Sequence, residues 1–245
     1  MVEIASPPPP TWGNDTLTRY LDNCRVNQWA TFANKRSEVI DLTTIDGMFR
    51  RFFGEAVNPK PILPANFLLR SHSAYLSACG AVMAGQLHDA WSVLRVSLEQ
   101  GGYAYYVGGD RERWTRWLAR HDVRSRTQQS KWKDEFTHGR VLRHLRTADP
   151  QLAEVYSGLY DRTIDYGAHP NERGISVGMN FEDTLDGGRR FNTIYLHGEG
   201  PILNLLLKST AQVGICVLRI AQLIYPERTQ ATGVKFTLET IRKRF

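Results

Sequence analysis

Apolar residues recur at intervals of three and four over most of this chain, the spacing that lines one face of an α-helix. Between Thr16 and Ala56, Leu17, Tyr20, Leu21 and Cys24 fall on one side, and Gly47 and Gly54 are the expected punctuation. Residues 57–64, VNPKPILP, predict a loop, because prolines at 59, 61 and 64 remove amide donors and push their predecessors toward extended conformations. Helix should resume near Asn66 and form two consecutive helices to Val107 that turn near Gly85. The small residues Ala78, Gly80, Ala81, Ala84 and Gly85 leave room for a neighbouring helix to approach closely. Further helices are predicted at 110–132, 138–147 and 150–166.

Two segments depart from this rhythm. Residues 201–226 are the most apolar, but Asn204, Lys208, Gln212, Arg219 and Gln222 interrupt them, and charges at mid-bilayer are costly. A central buried helix is the expectation, with no membrane partner. In residues 174–200 the alternation of Ile175, Val177 and Met179, the turn signal Asp186-Gly187-Gly188 and the β-forming FNTIYL predict a hairpin. The expected fold is therefore an all-α helical bundle with one small β-hairpin insertion at about 174–198. A single domain would span residues 14–245, behind a mobile proline-rich tail at 1–13.

Composition adds little to that fold but narrows the setting. At 245 residues with 42% hydrophobic content, the chain can bury a sizeable core. Cys24, Cys79 and Cys216 are odd in number and sit in apolar helical patterns, so they read as reduced core thiols of a cytoplasmic protein. The N-terminus has neither a basic n-region nor an apolar h-region, the marks of a secretory signal. Glycine-rich phosphate loops and a Gly-x-Ser-x-Gly elbow are missing from the sequence, which argues against nucleotide-dependent and serine-hydrolase chemistry.

Charge is more informative. From Asp110 to Arg146 there are eleven Lys/Arg and five Asp/Glu, a balance equal to the net +6 of the whole chain. Within it Arg113, Arg116, Arg120 and Arg124 follow intervals of three, four and four beside Trp114, Trp117 and His121. Such a stripe suits a phosphate backbone with bases stacked nearby, making RNA the candidate partner. A solvated helix face with its tryptophans in the core has the same pattern.

The second constellation is YDRTIDYGAHPNERGI, residues 160–175. On a regular helix Arg162, Asp165 and His169 lie close to one face, and Pro170 disfavours the helical conformation at His169, so an end near Gly167 is expected. A histidine there, beside Asp165, suits proton transfer near neutral pH. A surface Arg162/Asp165 pair with His169 capping a carbonyl is the structural alternative. Asp161, Asp165 and His169, spaced by four, give too few ligands to assign a metal, and no cofactor is expected.

The stretch RSHSAYLSACGAVMAGQLHDAWSVLRVSLEQGGYAYYV, residues 70–107, followed by DRTIDYGAHPN resembles the HEPN-like helical proteins, over about 100 residues. The resemblance rests on the glycine after the first helix, the VLRVSLEQ stretch and the arginine-to-histidine spacing of Arg162 and His169. It implies an HEPN-like core, often completed across a homodimer, and in active members a metal-independent ribonuclease pair. Carried over, His169 would act on the ribose 2′-hydroxyl or the leaving oxygen, and Arg162 would stabilise charge on the phosphate. The expected role is a non-catalytic binding domain for a protein, RNA or small ligand, with a metal-independent RNA endonuclease as the alternative.

Overall fold

The structure, a computed structural model, describes residues 7–54, 56, 59–119, 126–168 and 178–245. Helices α1 (Thr16–Asn34) and α2 (Arg36–Phe53) lead to the long pair α3 (Ile62–Met83) and α4 (Leu87–Gly108). Shorter helices follow: α5 (Arg111–Leu118), α6 (Arg126–Glu135), α7 (His138–Ala148) and α8 (Pro150–Thr163), the last running into a π-helical turn at Ile164–Ala168. Strands β1 (Met179–Asp183) and β2 (Arg189–Thr193) precede α9 (Pro201–Ile224), α10 (Pro226–Ala231) and α11 (Val234–Ile241). The molecule is thus an all-α bundle with one two-stranded antiparallel hairpin, as the hydrophobic pattern predicts.

The long helix α9 is the axis of the bundle, packed by α2, α3, α4 and α8. It is long and apolar enough to cross a membrane, yet most of it is buried inside the protein. Its interrupting polar residues have local uses: Arg219 reaches Asp149, 2.6 Å away, the N-cap of α8, and Gln212 accepts from Arg162 at 3.1 Å. Gly214 lets α2 and α3 close in, since a Cβ there would sit 2.5 Å from Ile45 Cγ2 and 2.8 Å from Tyr75.

Between α3 and α4 the contact is closer still. Ser71 Oγ donates to the Ser97 carbonyl at 2.7 Å, and Ser97 Oγ donates back to the Ser71 carbonyl at 3.0 Å. Both hydroxyls are buried and satisfied, so the small side chains bring the backbones together without orphaning a polar group. Gly85 makes the turn in the left-handed region, φ +82°. The chain leaving the hairpin crosses directly above it, His197 N–H donating to the Gly85 carbonyl at 2.9 Å.

Several boundaries differ from the sequence reading for identifiable reasons. The break before α2 falls at Lys35, not at a glycine, while Gly47 continues α2 and Gly54 caps it. Helix α3 begins at Ile62, before the expected Asn66, because Pro64 lies in the first turn where a missing N–H costs no internal bond. The predicted helix 110–132 is replaced by α5, ending at Leu118, and α6, which starts at Arg126. Residues Pro9–Asn14 form turns, and the Trp12 indole donates to Asp22 at 2.9 Å, tying part of the proline-rich tail to α1.

Two glycine substitutions test this packing with opposite signs. Gly85→Ala needs a left-handed alanine and drives its methyl into the His197 backbone, so a loss of roughly 2 kcal/mol or more in chemical denaturation is expected. Gly158→Ala, on an exposed helical site with nothing within 4 Å, should gain up to about 1 kcal/mol.

Candidate functional site

Helix α4 has two faces. Trp91, Leu94, Leu98 and Gly101 point into the core, whereas His88, Ser92, Arg95 and Glu99, at intervals of four, three and four, form a polar stripe. Helix α8, its π-turn and the start of α7 close over that stripe. At the first end, Ser92 Oγ donates to the Gly167 carbonyl at 3.1 Å, His88 Nδ1 lies 3.4 Å from the Tyr166 carbonyl, and Trp91 stacks on Tyr166. Gly167 is required for this contact: a Cβ would come 2.5 Å from the His88 carbonyl oxygen and 2.6 Å from Trp91 Cβ. It has no positive φ, so its role is close approach and not a left-handed turn.

At the second end, Arg95 Nε donates to Glu99 at 2.9 Å and Arg95 Nη2 to the Tyr160 hydroxyl at 2.9 Å, while that hydroxyl donates to Glu99 at 3.2 Å. The imidazole of His138 stacks on Tyr160 with ring centroids 3.5 Å apart, and its Nδ1 is buried without a hydrogen-bond partner. Burial pushes His138 below its usual value, against the pull of Asp161 and Glu99 and with the help of Arg95. Burial and Glu99 raise Tyr160, so both rings stay neutral near pH 7. The result is a closed, largely neutralised trio with a neutral imidazole stacked on it.

The predicted site residues are distributed around this seam. Arg162 is exposed and turns to Gln212 of α9, about 160° around α8 from Tyr160. The π-turn ends the 100°-per-residue register at Thr163, so the helical phase that aligned Arg162, Asp165 and His169 does not extend to Asp165. His169, Arg120 and Arg124 lie outside the described residues. Of the arginine stripe, Arg113 donates to the Tyr106 carbonyl and lies over its ring, and Arg116 grips Glu135 with Nε and Nη2, at 3.0 and 2.7 Å. Trp114 and Trp117 pack against the core, Trp117 edge-on to Phe67.

Sequence reasoning missed Arg140 and Arg143. Both are exposed on α7, a helix with three arginines and no acidic residue, and neither forms an ion pair with a described residue. The signal was present in the charge count but was assigned to the longer stripe. Also missed was the pair His88 and His197, whose rings meet at 6.1 Å with both Nε2 atoms buried and unpartnered. A cavity of about 380 Å³ opens beside His88, between the start of α4 and the hairpin residues Met179, Phe191 and Tyr195. A cavity of about 570 Å³ lies at the opposite end of α3 among Phe52, Phe53, Leu69 and Tyr225, away from the seam. Among the described residues no three His, Cys, Asp or Glu side chains converge as a metal site requires.

No family model, curated protein or solved structure matches the chain.

The buried histidines give the fold an acid sensitivity of known sign. His72, His138, His144 and His197 all sit below the ordinary 6.5 through burial, so below that pH the unfolded chain binds more protons. Stability should be full above pH 6.5 and fall as the pH drops through 6.5 toward the folded values. Melting temperatures from pH 7.5 to 5.0 check this, and His138→Gln should flatten the slope.

Proposed function

We propose that the protein is a non-catalytic helical binding domain whose partner is RNA, on an HEPN-like scaffold. The observation that carries this reading is the outward pair Arg140 and Arg143 on a helix without acidic residues, beside a seam whose own charges are already matched. Phosphates would meet unpaired guanidinium groups there, whereas Arg113 ties α5 to the end of α4 and Arg116 ties it to the end of α6. Arg95, the arginine of VLRVSLEQ, is held by Glu99 and Tyr160, and Ser97 of the same stretch is spent between α3 and α4. That division of labour is structural and fits recognition better than acid–base chemistry.

The π-turn favours a second reading, metal-independent RNA cleavage by Arg162 and His169. Such turns are frequent at functional sites, and Gly167 fixes this one on α4 two residues before His169.

A single-stranded RNA titration over a salt series separates these roles. Replacing Arg140 and Arg143 by serine should weaken binding and reduce the log–log salt slope by about 1.4, while the Arg113/Arg116 serine variant should change the slope less and lower the melting temperature more. Undiminished binding in the Arg140/Arg143 variant rejects the α7 interface. Cleavage by the wild type that is abolished by His169→Ala and by Arg162→Ala, with melting unchanged, would replace the binding reading with the enzymatic one.

A further inference from the structure

The cavity of about 570 Å³ at the far end of α3 is walled by aromatic rings set edge to face. Phe52 meets Phe53 at 5.0 Å with the planes 81° apart, and Tyr225 at 5.7 Å and 62°. Leu69 and Ile224 extend the apolar lining, and Leu69 is 48% exposed. The Tyr225 hydroxyl donates to the Pro61 carbonyl, and burial pushes it up to about 12, so the phenol brings no negative charge. Charge enters the lining at Lys60, Glu227 and Arg228, two cations against one carboxylate. The half-buried Arg228 donates from Nε to the Phe52 carbonyl at 3.0 Å and from Nη2 to the Gly54 carbonyl, leaving Nη1 for an outside acceptor. Among the described residues neither Arg228 nor Lys60 forms an ion pair.

We infer that this cavity binds a small, flat aromatic monocarboxylate, its ring held by Phe52, Phe53 and Leu69 and its carboxylate by Arg228 and Lys60. The volume is that of a small-ligand pocket, and so is the make-up, apolar walls with a few polar groups that fix orientation. The perpendicular rings of Phe52 and Phe53 offer an edge and a face, the two approaches that an aromatic guest favours. The carbonyls of Phe52 and Gly54 hold the guanidinium in place but leave its charge uncompensated, and a carboxylate on its open edge supplies the counter-charge through charge-assisted hydrogen bonds. One surplus positive charge matches one carboxylate, whereas a polyphosphate would find too few donors and an ammonium ligand would face both cations. Neither α7 nor the polar seam borders this cavity, so the inference is independent of RNA binding.

Calorimetric titration of the full chain with 2-naphthoate should give saturable binding, with 2-naphthylmethanol at least tenfold weaker and 2-naphthylmethylammonium without measurable binding. Leu69→Glu sets a carboxylate in the wall at an exposed position, so it should weaken 2-naphthoate binding at least tenfold while the melting temperature without ligand stays the same. Lys60→Gln, also at an exposed position, should weaken it about threefold. If Leu69→Glu fails to fold, Lys60→Gln decides alone. No binding of 2-naphthoate up to about 1 mM, equal or tighter binding of the alcohol or the ammonium, or undiminished affinity in either folded variant overturns the inference.

Discussion

The close contact of α3 and α4 sets the geometry on which everything else depends. Two buried serines that each donate to the other's carbonyl, and a left-handed glycine at the turn, hold the helices nearer than branched side chains would permit. That spacing fixes the rotation of α4. One face is committed to α3 and α9, and the polar stripe from His88 to Glu99 must face α7 and α8. Because the stripe cannot be left dry and unpaired, its partners are drawn from the neighbours: carbonyls of the π-turn at one end and the Tyr160 hydroxyl at the other.

The consequence for function is a site that is polar yet almost without free charge. Arg113 and Arg116 read from the charge count as part of a basic stripe, but each is held by groups of its own chain. Local charge counts therefore overstate what a phosphate would meet. On α7, Arg146 pairs with Glu154, whereas Arg140 and Arg143 are exposed and form no ion pair with a described residue.

The hairpin plays a different part. Its strands are largely exposed, with the Phe181 and Phe191 rings tilted against each other across the register, but the segment beyond it returns over Gly85 and lays His197 against His88. It thereby covers the start of α4 next to the π-turn, where the Nε2 atoms of both imidazoles are buried and burial lowers His197.

Hydrophobic period alone determined the class of fold, the α3–α4 pair with its turn at Gly85, the central apolar helix and the hairpin, because each depends on local spacing and on residues with restricted backbone choices. The sequence also carried Arg95, Ser97 and Glu99 within one recognisable stretch. It could not say that Ser97 would lock two helices while Arg95 and Glu99 close a seam, since neighbours two residues apart on a helix face different partners. Nor could it distinguish a paired arginine from an unpaired one, because Glu135 and Arg116 are nineteen positions apart and meet only when α5 and α6 pack. The docking of α1 was likewise invisible: local spacing shows a helix, and only the folded chain sets Asn27, Gln28 and Thr31 against carbonyls at the end of α3.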